Sequence, residues 1–100
     1  MVTQAIEVFY TAAHQLIVAE QYQDAATMLR AMIIAAPNDD RGWLALSHCH
    51  EKMEHWVIAK EILAAGRAVV ADNARLSLAL ARSMSNEDLV QGLDAERGAS

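Results

Sequence analysis

Apolar residues recur at helical spacing over about 3–19 and again over about 23–36, with the polar stretch AEQYQD between the two runs. Pro37 ends the second run in AAPNDDRGW, and Asn38, Asp39 and Asp40 follow it. These three supply a helix start: a side chain that caps free N–H groups, and acidic charge at the positive end of the helix dipole. The pattern then predicts helices over about 40–53 and 55–70, a break at ADN (71–73), and a fifth helix over about 74–84. Ser85 with Asp88 three residues on reads as a capping box that opens a short sixth helix over about 86–94. Residues 95–100 are expected to be a flexible tail.

Composition supports the helical reading. Apolar residues make up 54% of the 100 positions, aromatics only 5%, and there are four glycines and one proline. The apolar mass is therefore mostly small and aliphatic side chains in a chain with few helix breakers. The expectation is an all-α domain over 1–94 built from antiparallel helical hairpins.

The hairpins repeat. Phe9 and Trp43, Leu16 and His50, Tyr22 and Trp56, Ala25 and Ala59, Leu29 and Leu63, and Pro37 and Ala71 are each separated by 34 residues. A period of about 34 occupied by two antiparallel helices is a solenoid period. A small residue at 25 or 59 lets the helices of one hairpin approach, and Phe9 and Trp43 are expected to fill the space between hairpins.

These positions resemble the tetratricopeptide repeats, a right-handed helical solenoid. Repeat one, about 6–39, carries Phe9, Ala12, Ala13, Leu16, Ala25, Leu29 and Pro37. Repeat two, about 40–73, carries Trp43, Leu46, Ser47, Ala59 and Leu63. It departs at His50, where the family prefers Tyr or Leu, and at Ala71 in place of proline. A third unit over about 74–94 has Ser77 where an aromatic belongs, so it is a degenerate repeat or a cap.

The resemblance implies a concave face lined by the first helix of each hairpin, where a partner would lie. In this register Tyr10, Leu44 and Leu78 form one row and His14, His48 and Arg82 a second, with Ile17 beside them and Glu7, Val18, Arg41, Glu51, Lys52 and Arg75 flanking. An apolar row beside a polar, partly cationic one suits an extended peptide or an amphipathic helix. The other reading is a solvated face with isolated apolar residues. The clustered Lys/Arg clamp that grips a C-terminal carboxylate is missing. Two and a fraction repeats also leave apolar surface that a second copy or another protein would complete.

Small acidic members with two to three repeats include bacterial type III secretion chaperones, and DRGWLALSHCHEKMEHWVIAKEIL is similar to their central repeat. That resemblance implies a cytoplasmic chaperone holding an apolar segment of a needle or translocator subunit, alone or with a co-chaperone, so that it does not self-assemble. The alternative is an adaptor or self-associating scaffold without a client.

Charge and chemistry narrow the remainder. A net charge of −5 with no run among eight Lys/Arg argues against nucleic-acid binding. No apolar stretch approaches the ~20 residues of a membrane span, and MVTQAIEVFY lacks the basic start of a signal peptide. One cysteine forms no internal disulfide, which fits a reducing cytoplasm.

SHCHEKMEH, residues 47–55, gathers three of the four histidines and the only cysteine. With ~100° of rotation per helical residue, His48 and His50 face apart. His50 and His55 are five residues apart across an expected helix break, so the zinc-protease spacing of four is not met. His50 with Glu54 would make only a two-ligand site. Cys49 has no nucleophile's partners and is expected to be partly buried. No cofactor, metal or enzyme activity is expected.

Overall fold

A computed structural model describes residues 2–85, which contain helices and no strand. The helices are α1 (Val2–Val18), α2 (Tyr22–Ala35), α3 (Asp40–Lys52) and α4 (Trp56–Val69), with α5 over 74–85. Their bounds fall within a few residues of the periodicity reading. Ser85 still belongs to α5, whereas Asp88 and the expected sixth helix lie outside the described residues.

Consecutive helices pack on one another, and α3 also touches α1. This is a stack of antiparallel hairpins, α1–α2 and α3–α4, with α5 opening a third unit. The repeat register governs the core. Ala25, Ala59, Leu29 and Leu63 all have no exposed surface. Ala13 and Ser47, also 34 apart, are buried as well. Alanine inside each hairpin keeps the helices close, and leucine one turn on fills the seam.

The first core cluster joins Ile6, Ala13, Ala25, Ala26, Leu29, Met32, Leu46 and Cys49, with Phe9, Ile17 and Met53 half-buried against it. The second joins Leu63, Val70 and Leu76, with Trp43 and Leu44 against it. Cys49, expected to be partly buried, is fully enclosed. Trp43 packs with Leu63 of α4, with Val70, and with Leu76 of α5. Within its own hairpin it also lies against Gly66 of α4, where an added Cβ would stand 2.7 Å from Trp43 Cγ. The reason is local: Gly66 occupies the place of Met32 one repeat earlier, and the indole takes the vacated volume. Its Nε1–H donates to the Pro37 carbonyl at 2.8 Å, tying the incoming loop to α3.

Two devices shape the hairpins. Asp39 caps α3, its carboxylate accepting from the Arg41 amide at 3.1 Å, as the NDD signal anticipates. At the hairpin turns, Glu20 and Glu54 adopt left-handed backbone at φ 61° and 63°. The Glu20 amide donates to the Ile17 carbonyl and Gln21 to Leu16; Glu54 donates to Glu51 and His55 to His50. Both are Schellman terminations, which satisfy the last carbonyls of α1 and α3.

Candidate functional site: the groove between α3 and α5

The first helices of the hairpins are joined by side-chain ion pairs. Arg41 of α3 reaches back to Glu7 of α1 with two hydrogen bonds, 2.7 and 3.1 Å. It also holds Asp39 through Nε at 3.0 Å and Nη2 at 2.7 Å. Arg75 of α5 holds Asp40 of α3, with Nε at 2.7 Å from Oδ2 and Nη2 also bonded to the carboxylate. The Arg41 guanidinium lies 4.7 Å above the Tyr10 ring centre. Hydrogen bonds from Arg41 hold the Glu7 and Asp39 carboxyls below their ordinary values. The two carboxylates in turn raise Arg41, and Asp40 raises Arg75.

Further along the same helices the groups are unengaged. Leu44, Ser47, His48 and Glu51 of α3 and Ala79 and Arg82 of α5 line one depression of about 200 Å³. His48 and Arg82 are exposed, and the side chains of these two and of Glu51 have no hydrogen-bond or ion partner among the described residues. The Ser47 hydroxyl instead turns inward and donates to the Leu44 carbonyl at 2.8 Å. The arrangement presents a guanidinium, an imidazole and a carboxyl group around Leu44 and Ala79.

The predicted rows are distributed unevenly. Leu44, His48 and Arg82 come together in this depression. Leu78 is 61% exposed on α5. Tyr10 is half-buried under Arg41, with the exposed His14 ring 6.5 Å from it. Ile17 is half-buried against the first core cluster. Sequence reasoning missed Ala79, whose only signal was its place one turn before Arg82.

A larger depression, about 770 Å³, lies between the loops around 36–40 and 70–75. Most of its polar side chains are committed, Arg75 to Asp40, Asp39 to Arg41, and the Asn38 side-chain oxygen to the Ala71 amide at 2.9 Å, while Asp72 makes no hydrogen bond or ion pair among the described residues. The smaller groove gathers three unengaged polar side chains, against one in the larger depression.

The histidines of SHCHEKMEH separate as helical rotation requires for His48 and His50, but His50 and His55 meet. Their Nδ1 atoms are 3.1 Å apart. Rotation along one helix does not apply to this pair, because the left-handed turn at Glu54 folds the chain back on α3. Among the described residues no group of three or more His, Cys, Asp or Glu side chains could hold a metal ion. Burial pushes the Cys49 thiol up to about 11.

Stacked antiparallel hairpins at a 34-residue period, with an open face on their first helices, define a helical-repeat interaction domain. A tetratricopeptide repeat family model matches residues 16–83, and the chain belongs to that family. No curated protein and no solved structure matches it. No helix among the described residues is long and apolar enough to cross a membrane.

Proposed function

We propose that the protein is a binding module that seats a segment of another protein in the groove between α3 and α5. The observation that carries this is the convergence of unengaged His48, Glu51 and Arg82 around Leu44, beside exposed Leu78. A matching segment is an amphipathic helix or extended strand with one apolar face and a carboxylate placed for Arg82. Tetratricopeptide domains serve protein binding, and the groups in the groove suit recognition rather than bond making. The resemblance of residues 40–63 to secretion chaperones extends the proposal. The segment would belong to an aggregation-prone needle or translocator subunit, held in the cytoplasm until export.

Leu78→Glu and Arg82→Glu test the groove, because both side chains are exposed and their loss leaves the core intact. Leu44→Glu is less suitable, since Leu44 packs on the Leu63 cluster. Peptides of about 15 residues selected by display against the wild-type protein should lose affinity for both variants while helical circular dichroism stays unchanged. Equal affinity for all three proteins places the site elsewhere. Co-expression with a needle or translocator subunit tests the chaperone role, which predicts a soluble one-to-one complex. A stable homo-oligomer that leaves the subunit insoluble favours a scaffold.

A further inference from the structure

Both hairpins close with the same turn around a left-handed glutamate, but only the second flanks it with two imidazoles. Leu16 and Gln21 flank the turn in repeat one; His50 and His55 hold the same places in repeat two. The backbone bonds correspond, Gln21 to Leu16 and His55 to His50, both at 2.8 Å. The side chains at these two places therefore share one flank of the turn. In repeat two the imidazole centres are 5.4 Å apart and the Nδ1 atoms 3.1 Å. The difference is about one ring radius on either side, so the two nitrogens lie nearly on the line joining the rings. That is the geometry of an in-line N–H···N bond, rather than of two lone pairs converging on an ion.

Such a bond needs one N–H and one lone pair. A neutral pair supplies both, and so does a pair carrying one extra proton. Two imidazolium rings set two N–H groups against each other. We propose that His50 and His55 form a proton-gated clasp on the α3–α4 turn, closed with at most one extra proton and open when both rings are charged.

The surroundings oppose the second proton. Partial burial, His55 and Arg30 on the packed helix α2 hold His50 below the ordinary imidazole range. Glu51 and Glu54, the nearest acids in sequence, make no hydrogen bond or ion pair with either ring. Below the ordinary histidine value of about 6.5 the unfolded chain takes up a proton that the closed pair resists. Stability contributed by the clasp is thus complete above that pH and falls as the pH drops below it. Because α3 carries Leu44, His48 and Glu51, an open clasp loosens one wall of the groove. That last link rests on the binding function proposed above; the clasp itself does not.

The test compares thermal midpoints at pH 7.5 and 5.0 for the wild type and for His50→Leu and His55→Gln, the residues that repeat one uses at these places. The wild-type midpoint should fall by about 4 °C or more, and each variant should lose less than half as much. Glu7 and Asp39, held below their ordinary values, stay charged across this window. Ring-nitrogen NMR of the wild type should show an unequal pair, with the second protonation displaced below the ordinary imidazole range. An unchanged acid loss in both variants, or two rings titrating independently at the ordinary value, overturns the clasp. If neither variant folds, the wild-type ring titration decides alone. Peptide affinity measured at both pH values then reports on the groove: a clasp that titrates as expected without changing affinity refutes the link and leaves the clasp standing.

Discussion

Glu20 and Glu54 stand 34 residues apart and share a left-handed backbone, at φ 61° and 63°. A side chain with a Cβ pays about 1 kcal/mol for that conformation, and glycine avoids it. Both side chains are exposed, so little packing is lost on removing them. Glu20→Gly and Glu54→Gly should each stabilise the protein by about 0.5–1 kcal/mol in urea denaturation, after glycine's larger unfolded-state entropy is included. Glu→Ala at the same sites keeps the penalty and should change stability by less than about 0.5 kcal/mol.

The two glycines buried in helices should respond differently to alanine. A Cβ at Gly66 meets three atoms of Trp43 at 2.7–2.9 Å, Trp43 Cβ among them. Its nearest contact at Gly42 is Ile33 Cγ1 at 3.0 Å, on a half-buried side chain with freedom to shift. Alanine gains roughly 1 kcal/mol of helix propensity at either position. Displacing the indole costs about 1–3 kcal/mol, so Gly66→Ala should destabilise on balance. Gly42→Ala should be neutral or mildly stabilising. Equilibrium unfolding followed by tryptophan fluorescence separates them, since Trp43 reports directly on the first.

Arg41→Met should weaken the α1–α3 contact at neutral pH. The lost attraction to the Tyr10 ring alone is about 0.5–1 kcal/mol. The pH dependence is more specific. Glu7 and Asp39 have depressed folded-state values, so their contribution is present above the ordinary carboxylate range and lost as pH falls through the folded values. Without Arg41 that acid loss shrinks. Stability curves of wild type and variant should be separate at pH 7 and draw together as the pH falls through the depressed values of Glu7 and Asp39.

Cys49 should be chemically silent in the folded protein. It has no exposed surface, and its thiol is pushed up to about 11, so little thiolate exists at pH 8. Labelling with a thiol-reactive disulfide at pH 8 should be slow in buffer and rapid in 6 M urea. Fast labelling of the folded protein would mean that α3 detaches readily from α2.

The hairpin array was legible in the sequence because its two signals, apolar periodicity and a 34-residue offset, are properties of residue order. Asp39 as a helix cap is read the same way, since capping acts between near neighbours. The contact of Trp43 with Gly66 was not legible, because that hollow is defined by an absent side chain and depends on three-dimensional volume. The His50–His55 contact was hidden because a helix break can be read between them but not the direction in which the chain turns, and a left-handed glutamate gives no warning in its letter. In the groove, Leu44, His48 and Arg82 followed from register, whereas the cover that Arg41 places over Tyr10 depends on a long side chain choosing among nearby carboxylates.

The arginines of the ladder divide the first helices into two zones of charge. Arg41 and Arg75 each reach to an acid on the preceding first helix, so charge in that zone is consumed in setting how one hairpin leans on the next. Two helical turns further along the same helices stand His48 and Arg82, whose side chains have no hydrogen-bond or ion partner among the described residues. Under the binding role proposed above, substitutions in the second zone would change which segments the groove accepts while the first zone keeps the hairpins aligned.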